Sequence, residues 1–236
     1  MSRAFWLQTA NQNACEIAAI AGFDMVVFDA EHGVFDTAAL DRLVPFCNAI
    51  GLKSMVRVGD ANRYSIQSAL DMGADGVILP QVRDLEHATQ VSALAKFPPL
   101  GSRGIGFSRT TQYDGATSDF IARENSGRPC YVMIETPGAL NEAGEIAKLP
   151  CVDGLFIGPG DLSLGRGRGV FQSSEADFAD LQTVAKAAKA GGKQFAAAGA
   201  TVEYARQASS YEASFVVEGD ELTAMMIGFK SLLGGK

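Results

Sequence analysis

Eight short β-prone runs recur along the chain: FWLQ (5–8), MVVFD (25–29), SMVRV (54–58), GVILP (76–80), YVMIE (131–135), GLFIG (154–158), QFAAA (194–198) and SFVVE (214–218). Most are apolar almost throughout rather than at alternate positions, which is how strands buried on both faces read. Between them lie segments with helical spacing, among them TAALDRLVPFCNAIG, LEHATQVSALAKF, ALNEAGEIAKL and FADLQTVAKAAKAGG. Several of these helices end on glycine just before the next strand (Gly22, Gly51, Gly73 and the Gly191–Gly192 pair), as a left-handed cap requires.

Strands alternating with helices eight times over predict a (β/α)8 TIM barrel of the α/β class, occupying residues 1–236 as a single domain. A doubly wound open sheet would place a Gly-rich phosphate loop after its first strand, and the chain reads QTANQNA there. The connection at 98–129 far exceeds a normal loop. It predicts a lid or an oligomer contact, with some helix around 116–125.

Composition sharpens this picture by exclusion. With 47% hydrophobic and 20% charged residues over 236 positions, the chain fills a core without disulfide staples. Cys15, Cys47, Cys130 and Cys151 are scattered with no CxxC pair and only two histidines, which predicts reduced thiols in a cytoplasmic protein rather than a zinc site. No apolar run reaches the ~18 residues of a membrane span, and the N-terminus has no basic segment leading into an apolar one. A net charge of −7 disfavours nucleic acid and anionic membrane as partners.

Active sites of such barrels gather at the C-terminal ends of the strands. Strand two ends in DAEHG, giving Asp29, Glu31 and His32; strand three ends at Arg57, strand five at Glu135, and strand six runs through GPGD to Asp161. Glu135 and Asp161 follow neighbouring strands and converge on the mouth. Two such carboxylates either share a cation, leaving room for waters and a chelating substrate, or serve as helix caps and arginine partners; spacing leaves both open. His32 lies three residues after Asp29, which is placed to orient an imidazole base, and a purely structural histidine is the alternative. Arg57 suits a substrate anion, a salt bridge with Asp29 or Glu31, or both. Lys53 and Lys193 precede their strands, at the face opposite the mouth, so Schiff-base chemistry is disfavoured. His87 falls on a helix and reads as solvent-facing.

DAEHG, Arg57, GADGVILPQV, Glu135 and FIGPGDLS together resemble the HpcH/HpaI aldolases, over roughly residues 5–220. The resemblance implies a metal-dependent class II aldolase that reversibly cleaves a 4-hydroxy-2-oxo acid of the 2-keto-3-deoxy sugar acid type to pyruvate and an aldehyde. It implies that Glu135 and Asp161 hold Mg2+, Mn2+ or Co2+, that His32 is the base oriented by Asp29, and that Arg57 steadies the enolate oxygen. It also implies that Asp71 enhances the histidine's basicity, and that the backbone at Gly158, Gly160 and Asp161 receives the pyruvate carboxylate. Met133 stands where the sugar-acid branch has a substrate-binding glutamine; strand alternation puts it on the same face as Glu135. Family members are often hexamers built as trimers of dimers, and usually carry a helix before the first strand, for which four residues leave little space here. Arg103 and Arg109, in the long segment, are either grips for the aldehyde half or solvated loop arginines. The rival readings are an acyl-CoA lyase of the malyl or citryl type and a catalytically silent barrel that binds a 2-oxo acid.

Overall fold

The computed structural model describes residues 1–234. Eight parallel strands close into a barrel in chain order: β1 Ser2–Leu7, β2 Met25–Asp29, β3 Lys53–Arg57, β4 Gly76–Leu79, β5 Cys130–Ile134, β6 Gly154–Ile157, β7 Gln194–Ala198 and β8 Phe215–Asp220. Eleven α-helices accompany them among the described residues: α1 Gln12–Ile20, α2 Thr37–Ala49, α3 Arg63–Asp71, α4 Leu85–Ser92, α5 Ser118–Gly127, α6 Pro137–Asn141, α7 Ala143–Ile146, α8 Pro159–Gly165, α9 Glu175–Ala190, α10 Val202–Ser210 and α11 Glu221–Leu232. The TIM barrel expected from the strand pattern is the fold observed. None of the described helices is long and apolar enough to cross a membrane.

Differences lie at the edges of elements. β1 starts three residues before its apolar run, because Ser2 and Arg3 are held by backbone pairing with β8 and by the Asp24 carboxylate, which accepts the Arg3 N–H at 2.8 Å. ALNEAGEIAKL forms two short helices, α6 and α7, instead of one. A further short helix, α8, opens directly after β6, with Pro159 in its first turn. The glycine caps form as expected at Gly22, Gly51 and Gly73, with φ of +94°, +77° and +98°, while of the last pair only Gly192 turns left-handed. His87 is half-buried rather than solvent-facing, its Nδ1 accepting the Arg83 N–H at 3.2 Å.

Apolar side chains fall into two compartments. The larger fills the space between barrel and helices; the smaller lies inside the barrel, where Met55, Ile78, Tyr131, Phe156 and Phe215 interdigitate. Phe215 packs edge-on against Tyr131, with ring centroids 5.3 Å apart, and Phe156 links it to Trp6 nearer the mouth, at 5.8 and 6.0 Å. This apolar plug is the floor on which the polar layer at the C-terminal ends rests.

The 98–129 segment contains the expected helix as α5, and it runs along the outer helices. Arg103 is buried with its guanidinium on Asp71 (2.7 Å) and Glu124 (3.4 Å) and stacked on Phe97, and Arg109 pairs with Asp41 at 3.0 Å. The root of the segment is tied down by Lys96. This side chain is fully buried, donates to the carbonyls of Asn125 and Arg128 at 2.7 and 2.9 Å, and pairs with Asp153 at 2.7 Å. Asp153 immediately precedes β6, so the tie lies at the N-terminal face of the barrel.

Candidate active site

A cavity of about 690 Å³ opens at the C-terminal ends of the strands. Asp29, His32, Arg57, Met133, Glu135, Gly158, Gly160 and Asp161 all line it, so the strand-end inventory assembles in one place. Asp71 is the exception. It ends α3 on the outer ring, where Arg103 holds it, and within one chain it does not reach His32. Within one chain Arg103 and Arg109 are likewise occupied away from the cavity, on Asp71 and Asp41, and neither lines it.

Barrel register sets the first cluster. Asp29 and Arg57 are partners across β2 and β3. The guanidinium donates from Nε to Oδ1 at 2.9 Å and from Nη2 to Oδ2 at 2.7 Å, a bidentate pair with both side chains buried. The same guanidinium lies 4.8 Å from the Trp6 ring centroid. Burial pushes the Asp29 carboxyl up, but the hydrogen bonds and charge of Arg57 outweigh it and hold the group below its ordinary range. Glu31 Oε2 is 3.2 Å from Arg57 Nη1, close enough for an ion pair yet without hydrogen-bond alignment, and burial raises its pKa.

Asp29 does not orient the imidazole, as its position in sequence suggested. Its Oδ1 accepts the backbone N–H groups of Glu31 and His32 at 3.2 Å each, so it shapes the turn while its remaining capacity goes to Arg57. The imidazole is 58% exposed, and the nearest acid is Glu31, at 3.9 Å from Nε2. Gly33 closes the turn because a Cβ there would stand 2.3 Å from the Asp29 carbonyl oxygen and 2.7 Å from that of Gln8.

The second cluster joins β4, β5 and β6. Glu135 is buried at the end of β5, and its Oε1 accepts the backbone N–H of Gln81 at 2.6 Å. The Gln81 side chain donates from Nε2 to Asp161 Oδ2 at 2.9 Å, so one residue bridges both acids. It does so from φ +52°, a left-handed conformation that non-glycine residues seldom adopt. Burial pushes the Glu135 pKa up to about 7; the Gln81 hydrogen bond opposes this, and the charges of Glu31 and Asp161 add to it. Met133 faces the cavity on the same side as Glu135, as alternation required. A Cβ on Gly158 would come within 2.4 Å of Met133 Cε and 2.8 Å of Glu135 Oε2, so only glycine lets β6 leave the barrel this close to the acid.

Gln81, just beyond β4, links the two acids and was not singled out from the sequence. Its one signal was a polar side chain ending an apolar strand. The donor set at Glu135 and Asp161 is all oxygen, which suits a hard divalent ion. Among the described residues no three His, Cys, Asp or Glu side chains converge as a metal site. Two carboxylates, with water and a chelating ligand completing the shell, match the way Mg2+ is commonly held.

A closed parallel barrel with its ionisable side chains collected at the C-terminal mouth is the enzyme form of this fold. Residues 3–223 match the HpcH/HpaI aldolase/citrate lyase family, and the chain belongs to it. It is 34% identical over 158 residues to the 2-dehydro-3,6-dideoxy-6-sulfogluconate aldolase of Pseudomonas putida, a match spanning 67% of this chain and 62% of that protein. It is 31% identical over 218 residues to the 5-keto-4-deoxy-D-glucarate aldolase of Klebsiella pneumoniae, spanning 92% of this chain and 85% of that one. The solved structure of an HpcH/HpaI aldolase from Desulfitobacterium hafniense DCB-2 shares the fold, with a TM-score of 0.91 at 24% identity, covering 99% of this chain and 91% of that one. Family and relatives support a lyase of the aldolase kind.

Proposed function

We propose that the protein is a divalent-metal-dependent class II aldolase that reversibly cleaves a 4-hydroxy-2-oxo acid to pyruvate and an aldehyde. The observation that carries this reading is the pairing of Glu135 and Asp161 on adjacent strand ends, bridged by Gln81 and open to a substrate-sized cavity. These two carboxylates would hold Mg2+, Mn2+ or Co2+, which when bound supplies a Lewis acid for charge developing on the 2-oxo group.

The chain's own groups account for the remainder. The first N–H groups of α8, at Gly160 and Asp161, have no intrahelical acceptor and suit the pyruvate carboxylate. His32, solvent-accessible at the mouth, takes the C4 hydroxyl proton as the C3–C4 bond breaks; the bonding pair passes into the enolate of pyruvate, which is then protonated at C3. Arg57, fixed in place by Asp29, donates toward the enolate oxygen. Met133 places a thioether where an amide donor would read a sugar hydroxyl, so substrate hydroxyls are read elsewhere.

Chelation by EDTA is expected to abolish pyruvate release from 4-hydroxy-2-oxo acids, and Mn2+ or Mg2+ to restore it in wild type but not in Glu135→Ala. Chelator-resistant turnover overturns the metal role, and cleavage of acyl-CoA thioesters in place of oxo acids overturns the substrate class. The reading extends to a cytoplasmic homo-oligomer. Four free, buried cysteines support a reducing compartment. On α11, Met225, Met226, Ile227, Phe229 and Leu232 face solvent in the single chain, a surface that suits a second copy. Sedimentation is expected to show an oligomer, a hexamer in the trimer-of-dimers arrangement; a monomer overturns it.

A further inference from the structure

The cavity is chemically lopsided. Its base and the acids Asp29, Glu135 and Asp161 collect over β2, β5 and β6 beside Arg57 on β3, whereas over β7 and β8 the small or apolar Ala198, Gly199, Ala200, Val217 and Leu222 stand among Glu218, Asp220 and Thr223. Arg57 is the one permanently charged cation among the described lining residues, and its charge is already met by Asp29 at 2.7 Å and Glu31 at 3.2 Å. The acids near the apolar wall are Glu218, paired with Arg3 at 2.7 Å, and Asp220, whose Oδ1 caps α11 by accepting the Thr223 N–H at 2.8 Å. That side of the mouth therefore offers small apolar surface and negative charge.

Resting on the aldolase reading, we infer that the aldehyde half of the substrate is uncharged. Pyruvate anchored at Glu135 and Asp161 leaves the free volume over β7 and β8 to the aldehyde carbons. A terminal carboxylate, sulfonate or phosphate placed there meets no guanidinium or ammonium group among the described lining residues of the chain, and desolvating an anion without a partner is costly. An alkyl or hydroxyalkyl chain meets methyl groups instead. The Pseudomonas relative, named for a sulfonated sugar acid, acts on a compound that carries such an anion; this chain's wall is built for its absence.

The test compares acceptors of equal length in the pyruvate addition direction with Mn2+ present: butanal against succinic semialdehyde. Deuterium exchange at the pyruvate methyl group, followed by NMR without any aldehyde, is recorded alongside. Exchange together with a kcat/KM at least tenfold higher for butanal is the expected result. Exchange with equal or better use of succinic semialdehyde overturns this inference and leaves the aldolase reading standing. Absence of exchange overturns both. Ala200→Arg adds a guanidinium to the apolar wall and is expected to raise the relative kcat/KM for succinic semialdehyde; an unmoved ratio counts against the location of the aldehyde half.

Discussion

Glu135→Gln is expected to stabilise the metal-free protein at pH 8 while abolishing metal-dependent turnover. The Glu135 pKa rises from its ordinary 4.5 to about 7, mainly because burial disfavours the carboxylate. Below pH 4.5 the folded and unfolded chains both carry the proton. As pH rises toward 7 the unfolded chain loses its proton first, so stability falls, and above pH 7 the whole cost is present. A difference between 4.5 and 7 corresponds to about 3 kcal/mol. Glutamine keeps the shape and an oxygen for the Gln81 N–H but carries no charge, so it removes that cost. In urea unfolding with EDTA, the variant should gain up to about 3 kcal/mol at pH 8, moving the midpoint by about 1 M. At pH 5 most of the penalty has gone from wild type, and the gain should shrink to about 1 kcal/mol. Added Mg2+ should stabilise wild type by mass action and leave the variant unchanged. A variant no more stable than wild type at pH 8, or one with the same gain at both pH values, would refute the reasoning.

Arg57→Met removes the cation from two buried acids. Loss of one partner from a buried pair costs about 3–5 kcal/mol, so thermal unfolding should drop by about 10 °C; a fall under about 2 °C would show that Asp29 and Glu31 are satisfied without it. Gln81→Ala deletes the amide that holds Asp161 while sparing the backbone bond to Glu135. Residues that orient ligands in this way are worth about 10- to 100-fold in metal affinity, and calorimetric titration with Mn2+ should find that loss; unchanged affinity would remove Gln81 from the site.

The barrel was legible because its strands are buried on both faces, so each run announced itself without needing a neighbour. The mouth followed from one geometric rule about strand ends, and alternation placed Met133 beside Glu135. Other features depend on contacts that sequence does not encode locally. The sequence offered Asp29 both to Arg57 and to the His32 imidazole, and only register across β2 and β3 decides for Arg57. Gln81 adopts a backbone conformation normally left to glycine or asparagine, so nothing in PQV marked it as a bridge. Asp71 is placed by where the long segment brings Arg103, a contact between positions 32 residues apart. The short helix after β6 was readable in part, since a proline following a strand is a common first helical residue.

Lys96 fastens the long outer segment to the floor of the barrel, while the acids that would carry the chemistry stand at the roof. The anchor of the outer segment and the acids of the mouth thus stand at opposite ends of the barrel, so loss of the Lys96–Asp153 tie would loosen the segment at the end remote from Glu135 and Asp161.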